Sequence, residues 1–121
     1  MNPLITAVIS IALSVAAQFS LKAGMSGPEV KSVLVEPLGF RSFISIITDK
    51  YVFLGFLLYG LGAIVWLGVL SKWDVSKAYP LVGLGFVFTV AIGFLIGEGV
   101  TLNRVAGVAL ICAGVFLVGR S

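Results

Sequence analysis

The chain has 121 residues, 60% of them hydrophobic and only 11% charged, with a net charge of +3. Soluble domains carry about 25% charged residues, so a chain this apolar is an integral membrane protein with no soluble core to build. The weak, scattered positive charge excludes a nucleic-acid interface. The absence of histidine and the single cysteine, Cys112, exclude the usual metal sites and any intrachain disulfide.

The first apolar stretch, about 3–23, is long enough to span a bilayer, and Pro3 suits an early helical position. A signal peptide is the competing reading. No positive segment precedes the stretch and no small-residue cleavage pattern closes it, so it is kept as a span. Within "SIALSVAAQFSLK" (10–22), Ser10, Ser14, Gln18 and Lys22 fall every fourth position, and Asn2 and Thr6 extend the series backwards. Steps of four advance about 40° around a helix, so Ser10, Ser14 and Gln18 share a face and Lys22 lies further round at the membrane edge. Serines can bond their own helix carbonyls, but lipid satisfies none of the groups of the Gln18 amide. Gln18 therefore joins helices or lines a cavity. Lys22 is either a snorkelling anchor or a partner for an anionic head group.

The connection 24–50 is patterned. "SGPEVK" places Pro28 and Glu29 at a helix start. In "GFRSFISIITDK", Phe40, Phe43, Ile44 and Ile47 share one face while Arg41, Ser45 and Thr48 take the other. An amphipathic interfacial segment over about 28–49 is expected, with a lid over a lateral opening as the rival role.

The second span, about 51–70, carries Tyr59 and Trp66 on one face, suited to packing or to lining a cavity. The third, about 77–97, has Tyr79 before Pro80, with Gly83 and Gly85 close behind. Proline removes a backbone donor and disfavours helical geometry at the residue before it, so Pro80, Gly83 and Gly85 mark a bend or hinge, unless Pro80 simply starts the helix. The fourth, about 102–119, is bracketed by Arg104 and Arg120. The fold class is thus an all-α membrane domain of four spans with one interfacial segment.

The acidic residues are Glu29, Glu36, Asp49, Asp74 and Glu98, each in a connection or at a span end. Proton-coupled export of cations calls for an ionisable carboxylate within the pathway, and none lies at mid-depth. Neutral donors leading to a boundary ammonium suit an anionic head group better. Basic residues divide nearly evenly between the two sides, so the positive-inside rule does not choose an orientation. No nucleophile stands beside a base, so neither an enzyme nor a cofactor is expected.

"YVFLGFLLYGLGAIVWLGVLSKWDVSKAYPLVGLGFVF", followed by "GEGVTLNRVAGVALICAGVFLV", resembles the four-helix members of the drug/metabolite transporter superfamily. "AYPL" (78–81) matches the start of that group's third helix, and "GVALICAGV" (107–115) resembles the final helix of the small multidrug resistance exporters. "ALSVAAQFSLK" and the phrase from Trp66 to Tyr79 are closest to the small EamA-type subunits that flip aminoarabinose attached to undecaprenyl phosphate. Aligned on the lysine after the first helix, the exporters' essential glutamate falls on Ser14, a departure that favours the flippase branch.

The resemblance implies a multi-pass protein of the bacterial inner membrane, with a final-helix dimer contact at Gly107, Ala113 and Gly114. Gly107 and Gly114 are seven apart and share a face, open either to close approach of a second copy or to packing within one protomer. A single four-helix chain holds one repeat's worth of a transporter, so a homodimer, or a heterodimer with a related small subunit, is expected. The implied function is alternating-access movement of a polyprenyl-phosphate-linked sugar, with Ser10, Ser14, Gln18, Lys22, Tyr59, Trp66 and Tyr79 along the pathway. The rivals are an exporter of cationic compounds, with Glu98 as stand-in acid, and a non-transporting subunit that stabilises a partner.

Overall fold

A computed structural model describes residues 2–35 and 37–121; Glu36, counted above among the acidic residues, lies outside them. The chain forms α1 (Pro3–Met25), α2 (Pro28–Val35), α3 (Phe40–Ile47), α4 (Lys50–Leu70), α5 (Val75–Ala78), a 3-10 segment (Tyr79–Gly83), α6 (Leu84–Leu95) and α7 (Leu102–Arg120). Among the described residues, four runs are long and apolar enough to cross a bilayer: Pro3–Met25, Lys50–Leu70, Val75–Leu95 and Leu102–Arg120.

Local chemistry sets the helix ends. Asn2 caps α1, its Oδ1 accepting from the Leu4 amide at 2.8 Å, and Asp49 caps α4, its Oδ1 accepting from Tyr51 and Val52 at 3.0 and 3.2 Å. Thr101 caps α7 through the Arg104 amide at 3.2 Å. The third span stops two residues earlier than its hydropathy suggests. Gly97, at φ +91°, turns the chain, with Glu98 N–H donating to the Gly93 carbonyl and Gly97 N–H to that of Phe94. This is the glycine-terminated Schellman pattern, which side-chain-bearing residues adopt at a cost. Cations at the ends of the spans lie over aromatic rings: Lys50 on Tyr51, Lys77 on Trp73 and Arg120 on Phe116.

α1 and α4 run antiparallel along their whole length, Thr6 against Gly68 at one end and Gly24 against Val52 at the other. Small residues let them approach. A Cβ on Gly62 would sit 3.3 Å from the Ser10 carbonyl oxygen, and one on Gly55 would sit 3.1 Å from that of Ala17. Hydrogen bonds sew the pair together: Ser10 Oγ donates to the Gly62 carbonyl at 2.6 Å and Ser20 Oγ to that of Tyr51 at 2.6 Å. In lipid, where water does not drive helices together, such packing and bonding carry the association.

The third span is interrupted. Its first turn, α5, passes into the 3-10 segment before α6 resumes. Gly83 faces α7, where a Cβ would lie 2.8 Å from Ile111 Cγ2 and 3.0 Å from Val115 Cγ2; Gly85 faces α1, at 3.2 Å from Ile11 Cγ2 and 3.4 Å from Val15 Cγ2. Two glycines two residues apart, on opposite sides of one turn, thus seat α6 between α1 and α7. The core gathers where these elements meet: Ala7, Ile11 and Val15 with Val69, Ala78, Leu81 and Val115.

The connection after α1 forms two short helices. α2 starts at Pro28 and is held by buried Val30. α3 carries Phe40, Phe43 and Ile44 exposed, together with Arg41 and Ser45.

Gly62→Leu should drive a side chain into the α1 backbone and break the Ser10 bond. The expected loss is about 1–3 kcal/mol, seen as a lower thermal midpoint in detergent. Gly60→Leu on the same helix, where a Cβ meets nothing within 4 Å, should be close to neutral.

Candidate functional site

The α1–α4 seam uses one side of α1. Another side of α1 floors a cleft of roughly 600 Å³, with α4 as one wall and the 3-10 segment and α6 as the other. α1 contributes Ser10, Ile11, Ser14, Val15 and Gln18; α4 contributes Tyr59, Gly62, Ala63, Trp66 and Leu67. Facing them are Tyr79 and Val82 from the 3-10 segment, then Gly85, Phe86 and Thr89. Both walls rest on α1 and scarcely touch each other, so the cleft opens sideways: Leu67 is 63% exposed, Tyr79 68% and Phe86 51%. A pocket of this size, mostly apolar with a few placed polar groups, has the character of a small-molecule site.

Six of the seven residues expected along a pathway therefore share one cavity. Lys22 is outside it, exposed in the last turn of α1, one helical turn beyond Gln18. Ser10 is buried and its hydroxyl is committed to Gly62, so it joins helices as much as it lines the cleft. Ser14 Oγ donates to the Ile11 carbonyl at 2.9 Å. The Gln18 amide nitrogen donates to the Tyr59 hydroxyl, bridging floor and wall. Gln18 thus acts both as a tie between helices and as a lining group, the two roles its position in the sequence left open.

Thr89 is the polar residue that sequence reasoning missed. Its Oγ1 donates to the Gly85 carbonyl at 2.8 Å and also faces the cleft. The signal was available: Val82, Gly85, Phe86 and Thr89 recur at helical spacing after the 3-10 segment. Of the three residues read as a hinge, Gly85 lines the cleft and packs on α1, Gly83 packs on α7, and Pro80 sits inside the 3-10 segment.

Two groups lie elsewhere. The Glu98 carboxylate, the acid that a cation exporter would use, folds over Gly93 beyond the end of α6 and does not line the cleft. Gly107, Ala113 and Gly114 lie on α7, the most exposed of the spans, and a Cβ on either glycine would meet nothing within 4 Å.

Three of the four membrane-crossing runs frame this laterally open, sparsely polar cleft and α7 contributes nothing to its lining, an arrangement suited to a small multi-pass membrane transporter. The model of the EamA-like transporter family matches residues 30–120, and the chain belongs to that family. Several curated relatives bear the name probable 4-amino-4-deoxy-L-arabinose-phosphoundecaprenol flippase subunit ArnE. The protein of Pseudomonas savastanoi pv. phaseolicola is 38% identical over 82 residues, 67% of this chain and 72% of that one. That of Pseudomonas aeruginosa (strain UCBPP-PA14) is 45% identical over 69 residues, 56% of this chain and 60% of its own. That of Serratia proteamaculans is 42% identical over 72 residues, 59% and 63% respectively. The matches to the last two span less than two thirds of those relatives' length. No solved structure matches the chain significantly. Its place is the bacterial inner membrane, as a multi-pass protein.

In a Cys112→Ser background, Ser14→Cys and Thr89→Cys should react with a water-borne maleimide in native membranes. Ala12→Cys, at the same depth but outside the cleft, should stay unlabelled. Equal inertness at all three positions would show that the cleft is dry.

Proposed function

We propose that this protein is a flippase subunit that moves a lipid-linked sugar phosphate, of the polyprenyl-phosphate type, across the inner membrane. The observation that carries this reading is the sideways-opening cleft that gathers Ser14, Gln18, Tyr59, Trp66, Tyr79 and Thr89 at bilayer depth. A lipid-linked cargo has a head group that must avoid hydrocarbon and a tail that must remain in it. A lateral opening lets the head group occupy the cleft while the tail stays among acyl chains. The names of the ArnE relatives point to an aminoarabinose head group on undecaprenyl phosphate.

The working unit is a dimer, with a second copy or with a related small subunit. One chain supplies two walls and a floor but leaves the cleft open, and two such units of opposite orientation would give alternating access. The small-residue face at Gly107, Ala113 and Gly114 is where α7 meets the partner. The 3-10 segment about Pro80 is the bend that lets α6 rock while its two glycines keep contact. α3 lies in the membrane interface with Phe40 and Phe43 toward lipid.

Reconstituted in proteoliposomes, alone or with its related subunit, the protein should flip a lipid-linked amino sugar. Gln18→Ala and Lys22→Ala should each slow this at least fivefold. Unchanged rates in both variants would refute the pathway. Absence of flipping in every combination, alongside a stable hetero-complex, would favour a partner-stabilising role. Separately, Gly114→Leu should reduce the dimer fraction in detergent while leaving the protomer's thermal midpoint in place.

A further inference from the structure

We infer that the cleft receives the sugar end of the amphiphile, a ring rich in hydrogen-bond donors, and that the phosphate stays outside it. The inference rests on the transporter reading and concerns which part of the cargo the cleft is built to hold.

The first argument is the direction of the hydrogen bonds. A serine or threonine hydroxyl has one hydrogen to give and two lone pairs to offer. Ser10, Ser14 and Thr89 have each given that hydrogen to a backbone carbonyl, those of Gly62, Ile11 and Gly85. Ser14 and Thr89 therefore present lone pairs to the cleft. The Gln18 amide has given one N–H to Tyr59 and keeps its carbonyl oxygen as an acceptor. A phosphate accepts and does not donate, so these lone pairs have nothing for it, while sugar hydroxyls, and an ammonium where the ring bears one, donate to all of them. The donors that remain, the second Gln18 N–H, the Tyr59 and Tyr79 hydroxyls and the Trp66 indole N–H, are neutral and serve a sugar oxygen as well.

The second argument is charge. Among the described residues that line the cleft, none is a lysine or an arginine. An anion moved from water into a low-dielectric cavity needs a cationic partner or several donors. Trp66, Tyr59, Tyr79 and Phe86 add aromatic surface, which attracts an ammonium wherever a ring face is presented and carries no positive charge for an anion. The cations closest in sequence to the cleft residues are displaced from it. Lys22 stands one turn beyond Gln18 at the exposed end of α1, where a phosphate can be met while still hydrated. Cargo would then enter sugar first, with its phosphate at the boundary.

The test uses two probes of equal chain length, a dodecyl amino-glycoside and dodecyl phosphate, titrated against the full protein in nanodiscs. Trp66 fluorescence reports the cleft. Trp73→Phe removes the other tryptophan, which packs against the core, and the unaltered protein is titrated in parallel in case that variant misfolds. The amino-glycoside should give a saturable change, with dodecyl phosphate at least tenfold weaker. Thr89→Lys should invert this order by placing an ammonium inside the cleft. Dodecyl phosphate binding as tightly as the glycoside to the unaltered protein would overturn the inference. So would a protein that flips lipid-linked sugar yet shows no saturable response to the glycoside, and in that case the flippase reading would survive. Saturable glycoside binding by a protein that flips nothing in any combination would instead uphold the cleft's preference and defeat the flippase reading.

Discussion

The close approach of α1 and α4 is the constraint on which the rest of the molecule depends. In hydrocarbon, two apolar helices gain little by meeting unless their backbones come near enough for dispersion and hydrogen bonding to add up. Gly55 and Gly62 provide that nearness, and the Ser10 hydroxyl uses it, reaching the Gly62 carbonyl of the opposite helix at 2.6 Å. The consequence is rotational. With Ser10 and Ala17 turned toward α4, the face bearing Ser14 and Gln18 is presented beside the seam. The polar groups that hydrocarbon would penalise most are thereby placed in a cavity, and the seam holds them there.

The second wall is made by a different device. Pro80 has no amide hydrogen to give and fits a tightened turn, and the chain winds as a 3-10 segment before α6 begins. Gly83 and Gly85 then let α6 rest on two neighbours, α7 and α1. Because α6 is drawn to α1 and to α7, it stands away from α4, and the space between them is the cleft. A bulkier residue at either glycine would move this wall relative to its floor. The cavity thus follows from where small residues permit contact, and its openness from the contact they do not make.

The polar ladder has a dual nature. Its hydroxyls are satisfied by protein carbonyls, which makes them tolerable at bilayer depth. That same satisfaction leaves their lone pairs facing inward and sets the chemistry the cleft can recognise. Lys50, Lys77 and Arg120 lie over aromatic rings at the ends of the spans, and Lys22 stands in the last turn of α1. The described residues that line the cleft are neutral, and the chain belongs to the EamA-like transporter family.

The sequence by itself determined the membrane class, the four spans and the inward demand of Gln18, because hydropathy and the cost of an unsatisfied amide in lipid are properties of single segments. It also marked Tyr59, Trp66 and Tyr79 as residues to watch. Only the tertiary structure decided that Ser10 ties helices, that Lys22 lies outside the cavity, and that Thr89 belongs inside it. A four-residue repeat names a face of a helix but not the azimuth of that face in the assembled bundle. That azimuth was settled by Gly55 and Gly62 on another helix, more than 30 residues away in the chain. Pro80 was legible as a break, but the packing of Gly83 and Gly85 on opposite neighbours was not, since it depends on which helices flank α6 and not on α6 itself.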